Sequence, residues 1–146
     1  MDIEKKLSDV EFSNRENNAS HLAYEREMAF FQSVKDGDID KARELFKPFN
    51  CEEMGKLSDN PLRNLKYHLI ITIAFLTRYC IEGGMEMEVA FNLSDIYIRR
   101  LDQCISEEEL NSLHQYYTEG LLHLQIPEQH RTVRSALQLL EIRMQR

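Results

Sequence analysis

The stretch that most constrains the fold runs from Asn60 to Gly84, NPLRNLKYHLIITIAFLTRYCIEGG. Asp59 and Asn60 are good N-cap residues, Pro61 suits the first helical position, and Gly83 suits the left-handed residue just past a helix end. Between these signals no residue from Tyr67 to Thr77 is formally charged, counting histidine as neutral. An apolar run of about 10–14 residues is too short to span a bilayer, which needs about 20. The expectation is a helix buried on most sides, over about 60–82, at the centre of a soluble all-α domain of five or six helices.

The flanking segments supply helices to pack around it. Ser20 caps a predicted helix running to about Asp36, with Leu22, Tyr24, Met28, Phe30, Phe31 and Val34 at helical intervals, and Gly37 ends it. Asp38 caps a shorter helix, IDKARELF, ending before Pro48, so the two form a hairpin. After a loop over 47–58 and the central helix, residues from about Met87 to Cys104 place Ala90, Leu93, Ile96, Tyr97, Leu101 and Cys104 on one apolar face. That helix should lie antiparallel to the central one across the Gly83-Gly84 turn. Ser106 with Glu109 reads as a capping box opening a helix to about Gln125. Pro127 starts a last helix whose Val133, Leu137, Leu140 and Met144 form a coiled-coil-like seam, flanked by Arg134, Arg143 and Arg146. Such a seam either pairs two copies of the chain or closes its own core. Residues 1–19, polar and with few apolar anchors, read as a loosely held arm or a short strand-like lead-in to the domain at 20–146.

Charge narrows the function. With 18 basic and 25 acidic residues the net charge is -7, which argues against a broad phosphate-binding surface. Only residues 127–146, with 4 basic and 2 acidic groups, are basic on balance. Three widely spaced cysteines, Cys51, Cys80 and Cys104, suggest reduced thiols, and the N-terminus lacks the apolar stretch of a signal peptide, so a cytoplasmic protein without membrane contact is expected. Asp36 to Asp40, DGDID, has the acidic spacing of a calcium loop, but Lys41 stands where glycine is needed and Lys47 where glutamate is needed. None of the five histidines sits at a metal-binding spacing, and no nucleophile has an activating partner or phosphate-cradling loop. The sequence therefore predicts no metal, no cofactor and no enzymatic activity.

The polar residues that interrupt the apolar pattern are more informative. Arg63, Lys66 and Tyr67 enter the central helix, Arg78 stands near its end, and Asp95 breaks the face of the following helix. Arg78 and Asp95 come to similar heights above the turn, with about 9 Å of axial offset at 1.5 Å per residue. Arg78 and Asp95 form a register-fixing ion pair, or else Arg63, Lys66, Tyr67, Arg78 and Asp95 include residues that face a cavity for an anionic effector.

Leu57 to Asp102 carries a train of short motifs: Leu62-Arg63 with Lys66, then Thr77-Arg78, Ile81-Glu82-Gly83-Gly84, Leu93-Ser94-Asp95 and Tyr97-Ile98. This train resembles the helical N-terminal region of a Firmicutes group of AraC-type bacterial transcription regulators, and the upstream hairpin is similar to that group's lead-in. The likeness covers roughly residues 20–145. It implies a regulatory domain that senses a small-molecule or protein effector, or pairs as a homodimer, and touches DNA only through a helix-turn-helix part that residues 1–146 do not contain. The alternative is a free-standing helical interaction module resembling a short tetratricopeptide-like array.

Overall fold

The structure, a computed structural model, describes residues 2–16 and 24–125. Among these residues there are six helices and no strand: α1 (Ile3–Glu16), α2 (Tyr24–Lys35), α3 (Ile39–Leu45), α4 (Pro61–Glu82), α5 (Met87–Gln103) and α6 (Glu107–Gln125). The seam at Val133, Leu137, Leu140 and Met144, like Ser20, lies outside the described residues.

α4 starts where its caps place it. The Arg63 N–H donates to Asn60 Oδ1 at 2.9 Å, and Pro61 occupies the first turn, where its missing N–H has no helical partner to lose. At the other end Gly84 (φ 109°), rather than Gly83 (φ −78°), is the left-handed residue. The Met85 N–H bonds Cys80 O at 2.9 Å and the Gly84 N–H bonds Ile81 O at 3.1 Å, the paired bonds of a Schellman cap one residue later than expected. Gly83 answers a separate demand, since a Cβ there would lie 2.6 Å from the Lys35 carbonyl oxygen.

α4 packs against α2, α5 and α6. α2 runs alongside it in the same direction: Phe31 stacks on Phe75 with ring centroids 5.5 Å apart, and Lys35 Nζ lies 3.7 Å from Glu82 Oε2. α5 returns antiparallel on the other flank. α6 lies behind, where Thr77 and Tyr117 share a buried hydroxyl hydrogen bond of 3.0 Å. The α2–α3 hairpin forms as expected, with Gly37 at φ 67° and Asp38 Oδ1 accepting from the Lys41 N–H. At α6 the Ser106 Oγ caps the Glu109 N–H, while the Glu109 carboxylate reaches back to the Ile105 N–H, one residue before the expected one.

Burial departs from the sequence reading in three places. α4 is not covered on most sides: Leu65, Leu69, Ile73, Leu76 and Cys80 are at most 2% exposed, but Tyr67, Ile70, Ile71 and Phe75 are 36–44% exposed on the face turned away from α6. Three neighbouring helices cover one broad side of a cylinder and leave the fourth open. Ile96 is likewise exposed, because it points about 100° away from Tyr97 and so off the α5 face made by Ala90, Leu93, Tyr97 and Leu101. Residues 3–16 form a helix rather than a strand-like lead-in, since Ile3, Leu7 and Val10 recur at spacings of four and three with no glycine or proline between them; the helix buries none of its residues.

His114 is buried among rings, stacked 4.7 Å from Phe49 and lying 4.6 Å from Phe46, and its Nδ1 has no partner among the described residues. Burial pushes its pKa down to about 3, so the ring is neutral in the folded chain.

Two outcomes are expected. Ile73→Asp places an unpaired charge at a site of zero exposure and should unfold the domain, because such a charge costs several kcal/mol against a typical stability of about 5–15; a melting curve like the parent's would refute the central place given to α4. Between the ordinary histidine pKa of about 6.5 and the folded value of about 3, the unfolded chain takes up a proton at His114 and the folded chain does not. That site therefore lowers stability as pH falls through this window, by at most about 1.4 kcal/mol per pH unit, and has no such effect above it. His114→Phe should flatten the acid limb of stability measured from pH 7 to 4.

Candidate functional site

Between the start of α4 and the end of α5 lies an open groove of ≈ 790 Å³. Asn64, at 2% exposure, fixes its approach loop: Oδ1 accepts from the Leu57 and Ser58 N–H groups, and Nδ2 donates to Gly55 O at 3.2 Å. His68 Nε2 meets the same carbonyl at 2.7 Å. Gly55 and the Asn60 cap are thereby tied to the first two turns of α4. Across the groove Lys66 Nζ donates to Asp102 O at 2.9 Å, satisfying a carbonyl in the last turn of α5, where a cation also suits the helix dipole.

Leu62, Tyr67 and Ile70 from α4 and Ile98 and Leu101 from α5 give the groove apolar walls. Arg63 and Arg99 stand on its rim, both exposed, and neither guanidinium has a hydrogen-bond or ion-pair partner among the described residues. Asp102 is the one acid in the lining. A concave apolar floor with two uncommitted guanidiniums above it suits a ligand that is apolar along one side and carries a carboxylate or phosphate. Among the described residues no three His, Cys, Asp or Glu side chains gather to hold a metal ion.

Of the polar residues singled out by sequence, Arg63, Lys66 and Tyr67 meet in this groove. Arg78 and Asp95 do not join them. Arg78 lies about 22 Å further along α4 from Arg63 at 1.5 Å per residue. There it donates to Ala74 O at 2.8 Å and sits 5.9 Å over the Phe91 ring. Arg78 and Asp95 are both exposed and make no ion pair. Lys66 reaches Asp102 and Arg78 lies over Phe91, so Asp95 comes level with Ile73 and Ala74, and the Arg78 guanidinium is turned to Ala74 O and the Phe91 ring rather than to Asp95.

Arg99, Asp102 and Asn64 escaped the sequence reading. Asp102 was legible by counting: in an antiparallel pair joined at Gly83-Gly84, the residues level with Arg63 to Tyr67 fall at about 100–104, and Arg99 lies one residue beyond. Asn64 carried no such signal, since its role depends on where the loop returns.

Comparison of the chain with protein-family models, with curated proteins and with solved structures finds no match.

Asn64→Ala should cost about 2–4 kcal/mol, because each buried backbone group left without a partner costs about 1–3. Thermal melts would check it, with Asn60→Ala, the loss of a cap, costing about 1 by comparison. Equal losses for the two would deny Asn64 its organising role.

Proposed function

We propose that the chain is the regulatory domain of an AraC-type transcription regulator and that the groove between α4 and α5 receives its effector. The supporting observation is a convergence: Leu62, Arg63 and Lys66, which carry the opening motif of the resemblance, meet Ile98 of its later motif around one groove. Other motif residues have structural work instead, Thr77 in the bond to Tyr117, Gly83 in the close approach to Lys35, and Gly84 in the cap. The groove residues have no such internal task for the Arg63 guanidinium, which fits recognition of an anion. The effector is an organic acid with an apolar body.

In this reading the chain catalyses nothing and pairs as a homodimer in the cytoplasm. DNA contact belongs to a helix-turn-helix part outside this sequence, in keeping with a net charge of -7. No helix among the described residues is long and apolar enough to cross a membrane. The second reading, a helical interaction module, draws on the exposed apolar residues of α4 and would put a peptide where the first puts an acid.

Thermal melts against a panel of aliphatic and aromatic carboxylates, with inorganic phosphate and sulfate alongside, test the proposal. A ligand at a hundredfold excess over its Kd that binds only the folded chain adds about 2.7 kcal/mol, a shift of roughly 5–10 °C for a domain of this size. A carboxylate should produce it, and Arg63→Gln with Arg99→Gln should abolish it. No shift with any carboxylate, or one that survives both substitutions, rejects the groove as the effector site.

A further inference from the structure

Thr72, Thr77 and Thr118, the three threonines among the described residues, are all buried, at 9%, 1% and 3% exposure. Thr72 and Thr77 place their hydroxyls on the carbonyl one turn back, donating to His68 O at 3.1 Å and to Ile73 O at 2.7 Å. Thr118 does not, and its Oγ1, shielded from water, has no hydrogen-bond partner among the described residues. A buried hydroxyl left in this state costs the fold as much as a lost hydrogen bond, so it calls for a physical reason.

Thr118 lines a cavity of ≈ 280 Å³ between α3 and α6. α3 packs against α2, and the cavity lies on its α6 side. Ala42 and Phe46 from the α3 side and Leu122 from α6 give it apolar walls, while Gln115 stands at its exposed edge. At about 30 Å³ per water, the space holds about nine water volumes, the bulk of a molecule of roughly ten non-hydrogen atoms. His114, whose Nδ1 is also unpartnered, lines a cavity of only ≈ 50 Å³, room for about one or two waters. Size therefore singles out the space at Thr118.

Charge selects what could enter it. Arg43 Nε and Nη2 donate to Glu119 Oε1 and Oε2 at 2.9 and 3.0 Å, so the two charged groups in the lining answer each other. An ion in this cavity would meet no unmatched counter-charge, in contrast to the α4–α5 groove with its two uncommitted guanidiniums. The Thr118 hydroxyl and the Gln115 amide both donate and accept, so together they match an amide or a hydroxyl in either sense.

We propose that the cavity between α3 and α6 binds an uncharged organic molecule of about ten non-hydrogen atoms, apolar on one side and carrying an amide or hydroxyl group that pairs with Thr118. The methyl and hydroxyl of threonine exchange places by one rotation about χ1, and a helix admits two threonine rotamers, so Oγ1 turns to the cavity without backbone movement. The site is separate from the α4–α5 groove and does not depend on the role given to that groove.

NMR titration of the full chain tests this with benzamide, phenol and uracil as probes. At least one should shift the backbone amides of residues 115–122 and 42–46, with a Kd below about 10 mM, as the size of such a ligand allows. Benzoate, which matches benzamide in shape but carries a charge, should leave those amides in place. Thr118→Val keeps the shape and removes the hydroxyl. It should weaken the bound probe roughly fivefold to tenfold, the worth of one buried hydrogen bond, without lowering the melting temperature of the ligand-free chain. The inference is overturned if no probe moves these amides, if the shifts fall on groove residues 60–70 and 98–103 instead, or if benzoate binds at α6 as tightly as the best probe. Equal affinity in Thr118→Val overturns it as well, and so does a drop in that variant's melting temperature, the sign of a hydroxyl already satisfied in the folded chain.

Discussion

The inner stripe of α4 is the contact on which the rest of the fold depends. Leu69, Ile73, Leu76 and Cys80 reach zero exposure because three helices close on the same side of one cylinder. At about 25 cal/mol per Å², each of the three aliphatic side chains among them contributes roughly 1.5–3 kcal/mol, and no other described helix brings four side chains to zero exposure. Each neighbour then needs only one amphipathic face. This is why α2, α5 and α6 can stay polar enough on their outer sides to give the chain a net charge of -7.

Polar groups inside that core are placed so that they specify rather than merely survive burial. The Thr77 hydroxyl meets both Ile73 O and Tyr117, which ties the rotation of α4 to the position of α6. Gln125 reaches Cys80 O at 3.1 Å, and burial raises the Cys80 thiol to about 12, so this cysteine behaves as a small apolar residue and not as a nucleophile. The exceptions are Tyr97 Oη, Thr118 Oγ1 and His114 Nδ1, which have no hydrogen-bond partner among the described residues, His114 being held neutral among phenylalanines.

The groove follows from the same geometry. Two antiparallel helices are joined at Gly83-Gly84, and at the far end of the pair only α4, α5 and the Asn60 cap, among the described residues, line the space between them. Lys66 bridges the gap to Asp102 O and prevents the two ends from drifting apart. What remains between them is concave, apolar below and cationic above, a shape suited to an organic anion.

The sequence by itself determined the elements: the caps at Asn60, Asp38 and Ser106, the two hairpins, and the all-α class, because each rests on chemistry within four residues. It also determined that Arg63, Lys66 and Tyr67 share one turn of α4, since helical spacing alone requires it. Which sides of α4 are covered was left to tertiary structure. An apolar residue such as Ile71 has the same local pattern whether a neighbour lies over it or not, and only the number and direction of packed helices decides. Arg78 and Asp95 show the same limit in another form. Their heights differ by a few residues of helical rise, an offset that counting measures well, but whether side chains bridge it depends on the register that packing fixes, and here packing turns Arg78 over Phe91 instead.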